Sequence, residues 1–176
     1  MQIPRGVLMV VVSAVIGGLG GSWVVAQQMR RSAMLAPEDY LEIQQLYYTY
    51  SRDVDPGSER DASWMFTPDG TFGAGRGART GEKALKEFYL KVRDDQYAGV
   101  RHFTSNLLIL PTPGGAKTSS YMMIVERREQ NGPVLITGFG QYDDTLVKTR
   151  DGWRFKDRVF RPDSWRTAPR TPSPQD

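Results

Sequence analysis

The chain has 176 residues, enough for one domain of ordinary size with extensions. It contains no cysteine, which excludes disulfides, thiol nucleophiles and cysteine-ligated metals, and its 39% hydrophobic and 24% charged residues indicate a globular protein. Residues 1–36 contain three arginines and no acidic residue, which accounts for the net charge of +3. Residues 37–161 hold 18 basic and 18 acidic residues, and the two arginines and two aspartates after them also cancel. The balance therefore predicts no nucleic-acid partner.

Residues 1–26 are predicted to be a signal peptide, with an uncleaved anchor as the alternative. Arg5 precedes an uncharged segment, and Val24-Val25-Ala26 has the small residues of a signal-peptidase site. The 20 residues from 7 to 26 are also long enough to span a bilayer. Cleavage predicts a periplasmic or secreted protein, and an anchor predicts membrane attachment facing outside the cytoplasm. Residues 27–36 are read as a linker.

Residues 37–165 are predicted to be the folded domain, and three helices come first. Pro37 begins a helix with one apolar stripe, and Pro56-Gly57 ends it. A short helix through Ala62 and Met65 follows, then a turn at residues 67–70 and a short strand through Phe72. The third helix starts near Thr80.

Turn signals beyond Gln96 predict four strands, near residues 100–110, 116–129, 134–149 and 153–161. The fold class is therefore α+β, with the three helices packed on a curved, mostly antiparallel sheet. Residues 166–176, which contain three prolines, are predicted to be a disordered tail.

The candidate site residues begin with His102, the only histidine and the only side chain whose unperturbed pKa lies near neutrality. A hydrogen-bonded structural role is the alternative. Strand alternation puts His102, Thr104, Asn106 and Leu108 on one face. That face either meets solvent or lines a pocket.

Three acidic positions and one arginine complete the candidates. Helical periodicity favours Asp53 as the inward carboxylate of the first helix, but Pro56 makes the direction of Asp55 unpredictable, so both stay open. On the longest strand, residues 136, 138, 140, 142, 144 and 146 share a face, and Asp144 is expected either to pair with Arg158 or to act in catalysis. One histidine and scattered carboxylates predict no metal, and no cofactor is expected.

The order and spacing of several motifs over residues 37–161 resemble the SnoaL-like branch of the NTF2-like superfamily. The motifs are Leu46-Tyr47 to Tyr50, Asp55, Met65 to Phe72, Arg101-His102 with Asn106, Gly140 to Asp144, and Asp151 to Phe155 with Arg158. The resemblance implies a cone-shaped barrel around a deep apolar cavity, in a homodimer or homotrimer that takes a small apolar ligand. The superfamily includes scytalone dehydratase, hexachlorocyclohexane dehydrochlorinase, polyketide cyclases and ketosteroid isomerase, as well as members without known activity.

The resemblance also implies roles for individual residues. In the dehydratase and the dehydrochlorinase, an aspartate that ends the first helix orients a strand histidine that moves a proton; Asp55 and His102 match these positions and are the expected catalytic residues. Tyr50, Asn106 and Tyr142 are the expected substrate contacts. We expect a lyase or isomerase, with a non-catalytic ligand-binding or assembly module as the alternative.

The chain departs from the dehydratase at three positions. Met122 stands where the dehydratase has a second histidine, and Val54 and Gly73 stand where it has its water-holding tyrosines. Scytalone itself is therefore not the expected substrate.

Overall fold

The computed structural model describes residues 34–96 and 98–163. Residues 1–26, with the predicted signal peptide or anchor, and the predicted tail at 166–176 lie outside the described residues. Two α-helices and six strands form the domain; they are α1 (Pro37–Val54), β1 (Phe66–Phe72), β2 (Arg79–Thr80), α2 (Glu82–Asp94), β3 (Val100–Thr112), β4 (Gly115–Glu126), β5 (Leu135–Thr149) and β6 (Gly152–Pro162). Within the described ranges, no helix is long and apolar enough to cross a bilayer.

Helix α1 begins and ends where its sequence predicts. Pro37 occupies the first turn, and the carboxylate of Asp39 accepts a hydrogen bond of 3.0 Å from the backbone N–H of Ala36. The helix ends at Val54, because Asp55 before Pro56 is extended, with φ −74° and ψ 150°. Its buried stripe consists of Asp39, Ile43, Leu46, Tyr47, Tyr50 and Val54.

The prediction of three helices is wrong for the second one. Ala62–Met65 is one turn of 3-10 helix, capped by Asp61, whose carboxylate accepts a hydrogen bond of 2.9 Å from the backbone N–H of Ser63. The turn ends after Met65 because the next residue, Phe66, pairs with β6. Four residues are too few for an α-helix. The helical elements are therefore two α-helices and short 3-10 turns.

The turn predicted at residues 67–70 is a bulge within β1. Phe66 pairs with Phe155 of β6, but Thr71 pairs with Asp157, so four residues of β1 stand opposite one residue of β6. Proline and glycine therefore mark an irregularity inside a strand, which uses the same backbone freedom as a turn.

One six-stranded sheet has the strand order β2-β1-β6-β5-β4-β3. All neighbours are antiparallel except β1 and β6, which confirms the mostly antiparallel α+β prediction. The core lies between this sheet and the helices, and its completely buried members include Ile43 and Leu85 of the helices and Leu146 and Phe155 of the sheet.

A bulge in β3 changes which side chains face the core. Ser105 pairs with Tyr121 and Leu108 with Ser119, so two residues of β3 stand opposite one of β4, and Asn106 adopts a positive φ of 53°. His102 is half-buried on the inner side, but Leu108 is 54% exposed and Asn106 is exposed as well. The prediction that Asn106 and Leu108 share the face of His102 is wrong: Asn106 is exposed within the bulge, and the extra residue moves Leu108 to the other side.

A second bulge lies in β5 beside Thr137. Ile124 pairs with Gly138 but Val125 pairs with Ile136, so Ile136 leaves the predicted inner face and is 64% exposed. The rest of that face is confirmed: Tyr142, Asp144 and Leu146 are buried. A Cβ atom on Gly138 would lie 2.8 Å from Cδ1 of Ile124, so this glycine lets the Ile124 side chain pack over the strand.

Candidate functional site

Asp55 and His102 are in direct contact between the end of α1 and the start of β3. Oδ1 of Asp55 lies 2.9 Å from Nδ1 of His102 and accepts a second hydrogen bond of 2.9 Å from the backbone N–H of the same residue. The two side chains are only 13% and 10% exposed. A carboxylate at Nδ1 favours the tautomer with the proton on that nitrogen, which leaves the lone pair of Nε2 available.

Asp53, the alternative carboxylate, is committed elsewhere. Its Oδ1 accepts a hydrogen bond of 3.1 Å from the hydroxyl of Ser58, and its Oδ2 accepts one of 2.9 Å from Nε1 of Trp64. The extended backbone of Asp55 turns its side chain toward β3, whereas Asp53 stays on the helix and faces the 3-10 turn. Of the two, the structure brings only Asp55 to the histidine.

His102 lies in the wall of a pocket of about 220 Å³ between the helices and the sheet. Tyr50 and Tyr142, both predicted contacts, line the same pocket, but Asn106 does not. The remaining lining is mostly aliphatic and aromatic; it comprises Val54, Phe72, Phe88, Tyr89, Val92, Gln96, Met122, Ile124 and Phe160. This volume lies below the range common for drug-sized ligands, so the pocket suits a small molecule.

Two tyrosine hydroxyls in the pocket wall bond to each other. The hydroxyls of Tyr50 and Tyr89 are 3.0 Å apart, and their rings pack edge to face at 5.9 Å. Burial raises the pKa of both tyrosines well above the ordinary value of 10.0. They are therefore neutral hydroxyl groups that can donate hydrogen bonds but do not serve as bases near neutral pH.

A second ion pair lies deeper, beneath the tyrosines. Nη1 of Arg158 is 3.5 Å from Oδ2 of Asp144, and both side chains are completely buried. The guanidinium carbon lies 3.7 Å from the ring centre of Tyr142 and 4.0 Å from that of Tyr50. Burial raises the pKa of Asp144 to about 6, although Arg158 and a hydrogen bond from Tyr47 oppose the rise.

Comparisons with known proteins agree with this fold. The model of the SnoaL-like domain matches residues 36–159, well over half of the chain. The chain belongs to the SnoaL-like domain family. No match was found among curated proteins.

Solved structures share the SnoaL-like fold. A protein of unknown function with a cystatin-like fold from Nostoc punctiforme is 26% identical over 74% of this chain and 96% of that one, with a TM-score of 0.63. A scytalone dehydratase candidate from Novosphingobium aromaticivorans is 25% identical over 71% of this chain and 84% of that one, with a TM-score of 0.58. An NTF2-like protein from the same species, 20% identical over 77% and 86%, with a TM-score of 0.62, shows the fold alone. The superfamily includes dehydratases and isomerases.

A surface cleft of about 440 Å³ lies on the other side of Asp55 in this SnoaL-like domain. Its lining includes Asp55, Arg52, Arg60 and Arg101, and Nε of Arg101 is 4.0 Å from the second carboxylate oxygen of Asp55. Asp55 therefore stands between the polar cleft and the apolar pocket. Within residues 34–96 and 98–163, no group of three or more acidic or imidazole ligands could hold a metal.

Sequence reasoning missed two residues of the SnoaL-like pocket, Tyr89 and Gln96, and the surroundings of Arg158. Tyr89 reads as an ordinary core position on α2, and nothing in a single sequence shows that its hydroxyl meets Tyr50. Gln96 follows the end of α2 and belongs to no motif. Arg158 was expected as a partner of Asp144, which is confirmed, but its enclosure by aromatic rings could not be read from strand alternation.

Proposed function

We propose that this SnoaL-like protein is a lyase or isomerase in which His102 abstracts a proton from carbon in a small, largely apolar substrate. The observation that carries the proposal is the 2.9 Å contact between Asp55 and Nδ1 of His102 in the wall of an apolar pocket. A buried carboxylate fixes the tautomer and stabilises the imidazolium that forms when Nε2 takes the proton.

The chemistry balances without a further reactant. Nε2 of His102 takes the proton, and the electron pair of the broken C–H bond forms a C=C bond. In β-elimination a leaving group departs with its own bonding pair, and in isomerisation the imidazolium returns the proton to another carbon. Apolar walls keep water from competing for the proton. We propose that Tyr50, a neutral hydroxyl in the same wall, donates a hydrogen bond to a developing oxyanion.

The test uses a panel of small cyclic ketones with a hydroxyl or halide in the β position. NMR in deuterated water detects both elimination and deuterium incorporation at carbon. We expect His102→Gln to lower turnover by a factor of about 10² to 10⁴ while the circular dichroism spectrum stays that of the wild type. Asp53→Asn is the matched control, because it changes a neighbouring carboxylate without touching His102. Unchanged turnover in His102→Gln would remove the proposal.

A second candidate function, as an assembly module, rests on the outer face of the sheet. Phe103, Met123 and Phe139 are register partners across β3, β4 and β5, on the face opposite His102, and Phe103 is 51% exposed. An exposed apolar row of this kind marks interaction surfaces. We propose that a second copy of the chain covers it, since one self-complementary patch suffices for a two-fold dimer. Light scattering should show a dimer that Phe103→Lys converts to a monomer.

We also propose that the protein is exported from the cytoplasm. The uncharged N-terminal segment and Val24-Val25-Ala26 support export with cleavage after Ala26. Expression with the native N-terminus, followed by N-terminal sequencing, should give Gln27 as the first residue. A protein that keeps Met1 and sediments with membranes would favour the anchored alternative.

A further inference from the structure

The pocket contains one buried acceptor that the acid–base proposal does not use. Oε1 of Gln96 is buried and has no hydrogen-bond partner among the described residues, yet Gln96 lines the pocket. Buried polar groups are almost always paired, so an unpaired carbonyl in a ligand pocket needs an explanation. A hydrogen-bond donor on the ligand would provide one.

The end of α2 explains why the side chain reaches the pocket. Gln96 lies four residues after Val92, which also lines the pocket, so both residues fall on one side of the helical path. The backbone N–H of Asp95 still donates to the carbonyl of Lys91 at 2.9 Å, which continues that path to the residue before Gln96.

Three other polar atoms of the pocket have partners. The hydroxyls of Tyr50 and Tyr89 bond to each other, and Nδ1 of His102 bonds to Asp55. In the proposed reaction Nε2 of His102 is reserved for the proton. Oε1 of Gln96 is a buried acceptor without a partner among the described residues, so it can receive a neutral donor from the ligand.

The aromatic lining of the pocket indicates which kind of ligand carries the hydrogen-bond donor. The rings of Phe72 and Phe88 stack at 4.9 Å, and Tyr142 packs against Phe160 at 5.4 Å. Such surfaces favour the faces and edges of a flat ring. The small volume, about 220 Å³, admits one such ring with short substituents.

We propose that Gln96 is a specificity-determining residue, which accepts a hydrogen bond from a hydroxyl group on a small unsaturated or aromatic ring. The inference rests on the proposed function only in placing the substrate in the same pocket. It deepens that function by naming a hydroxylated ring compound as the substrate class. An analogue without the hydroxyl would bind less tightly, because it leaves the buried carbonyl of Gln96 unpaired.

The test compares p-cresol with toluene, which differ by one hydroxyl group. The dissociation constant of each is measured by titration, following the labelled methyl group of Met122 in the pocket wall. In Gln96→Met we expect the ratio of the two constants to shift about tenfold against p-cresol relative to the wild type, with toluene binding retained. Gln96→Leu is the second variant if Gln96→Met does not fold.

Two controls assign the effect to Gln96. Val92→Ala trims the apolar wall one turn earlier, so it should weaken both ligands alike and leave the ratio unchanged. His102→Gln should also leave the ratio unchanged; a shift there, and none in Gln96→Met, would make His102 the acceptor and overturn the proposal. Failure of both ligands to perturb Met122 in the wild type would overturn it as well.

The outcome is separable from that of the proposed function. A tenfold ratio shift in Gln96→Met, in a protein whose turnover is insensitive to His102→Gln, would support the assignment of Gln96 and refute the acid–base reaction. An unchanged ratio, with turnover lost in His102→Gln, would give the opposite result.

Discussion

The domain contains two carboxylate–base pairs that are close in chemistry and opposite in environment. Asp55 and His102 meet at 2.9 Å, with the ring of His102 in the wall of a pocket. Asp144 and Arg158 meet at 3.5 Å, and both of their side chains are completely buried. The first pair keeps one nitrogen available, and the second is enclosed on every side by the core.

This difference separates a pair that can exchange protons from one that cannot. Arginine stays protonated throughout the ordinary pH range, so Arg158 can hold a charge but not shuttle a proton. Histidine gains and loses its proton near neutral pH. The lesson is that a buried carboxylate marks a site only when its partner can titrate and can reach a cavity.

The largest expected effect comes from breaking the buried pair of Asp144 and Arg158. Arg158→Met removes the counter-charge that opposes the raised pKa of Asp144, so Asp144 must either take up a proton or stay ionised and unpaired in the core, and the free energy of unfolding at pH 7 should fall by about 3–5 kcal/mol. Urea denaturation measures the change. A loss below about 1 kcal/mol would mean that water reaches Asp144, which would undo the distinction between the two pairs.

The control for this variant removes both charges. Arg158→Met combined with Asp144→Leu removes both charges of this pair, and apolar replacement of a buried pair is often neutral or stabilising. The double variant should therefore recover most of the lost free energy of unfolding. If it is as unstable as Arg158→Met alone, the loss comes from packing against Tyr50 and Tyr142 and not from the charge of Asp144.

The second effect is a dependence of stability on pH. Burial raises the pKa of Asp144 from 3.8 to about 6 in the folded protein, so the folded form binds this proton more tightly than the unfolded chain. The stabilisation from protonation is complete below pH 3.8 and is lost as the pH rises through about 6. Its size is at most about 3 kcal/mol.

Thermal unfolding between pH 4.5 and 7 measures this dependence. The carboxyls of Asp39 and Asp143 do not mask it, since hydrogen bonds to their side chains lower the pKa of each below 3.8, and their contributions are lost only at more acidic pH. In the double variant without Asp144 this contribution should be absent, so stability should fall less between pH 4.5 and 7 than in the wild type. A wild-type stability that rises from pH 4.5 to 7 would contradict the sign.

The third effect is a loss of turnover, and it concerns the pair of Asp55 and His102. Asp55→Asn should lower turnover about 100-fold, since the amide neither stabilises the imidazolium nor enforces the tautomer. The free energy of unfolding should change by only about 1 kcal/mol, because the amide oxygen can still accept from the backbone N–H of His102. Asp53→Asn should lose a similar amount of stability, through Trp64 and Ser58, but leave turnover unchanged. Equal turnover in both variants would contradict the role of Asp55.

Much of the fold could be predicted because it follows repeated local patterns. The apolar stripe of α1 and the turn residues between β3, β4, β5 and β6 predict elements that the structure confirms. The errors in which face a side chain occupies concern single inserted residues. The bulges at Asn106 and Thr137 reverse the face of every residue beyond them on their strands, and strict alternation has no signal for one extra residue.

The candidate site could be predicted only in part, for a related reason. Resemblance selects Asp55 over Asp53, and the extended backbone before Pro56 brings Asp55 to His102. Gln96 and Tyr89 escape prediction because their positions depend on where α2 ends and on how it packs against α1. Such tertiary placement leaves no period or motif in the chain.

Tyr50 is the residue that touches both regions, and its partner Tyr89 gives the smallest expected effect. Tyr89→Phe removes one hydroxyl of the 3.0 Å pair and leaves the hydroxyl of Tyr50 without its partner, so the free energy of unfolding should fall by about 1 kcal/mol. If the Asp144–Arg158 pair and the Asp55–His102 pair are independent, turnover should stay unchanged, because neither Asp55 nor His102 forms a hydrogen bond with Tyr89. Loss of turnover comparable to that in Asp55→Asn would instead show that the tyrosines couple Arg158 to the proton-transfer site, and the two pairs would have to be treated as one network.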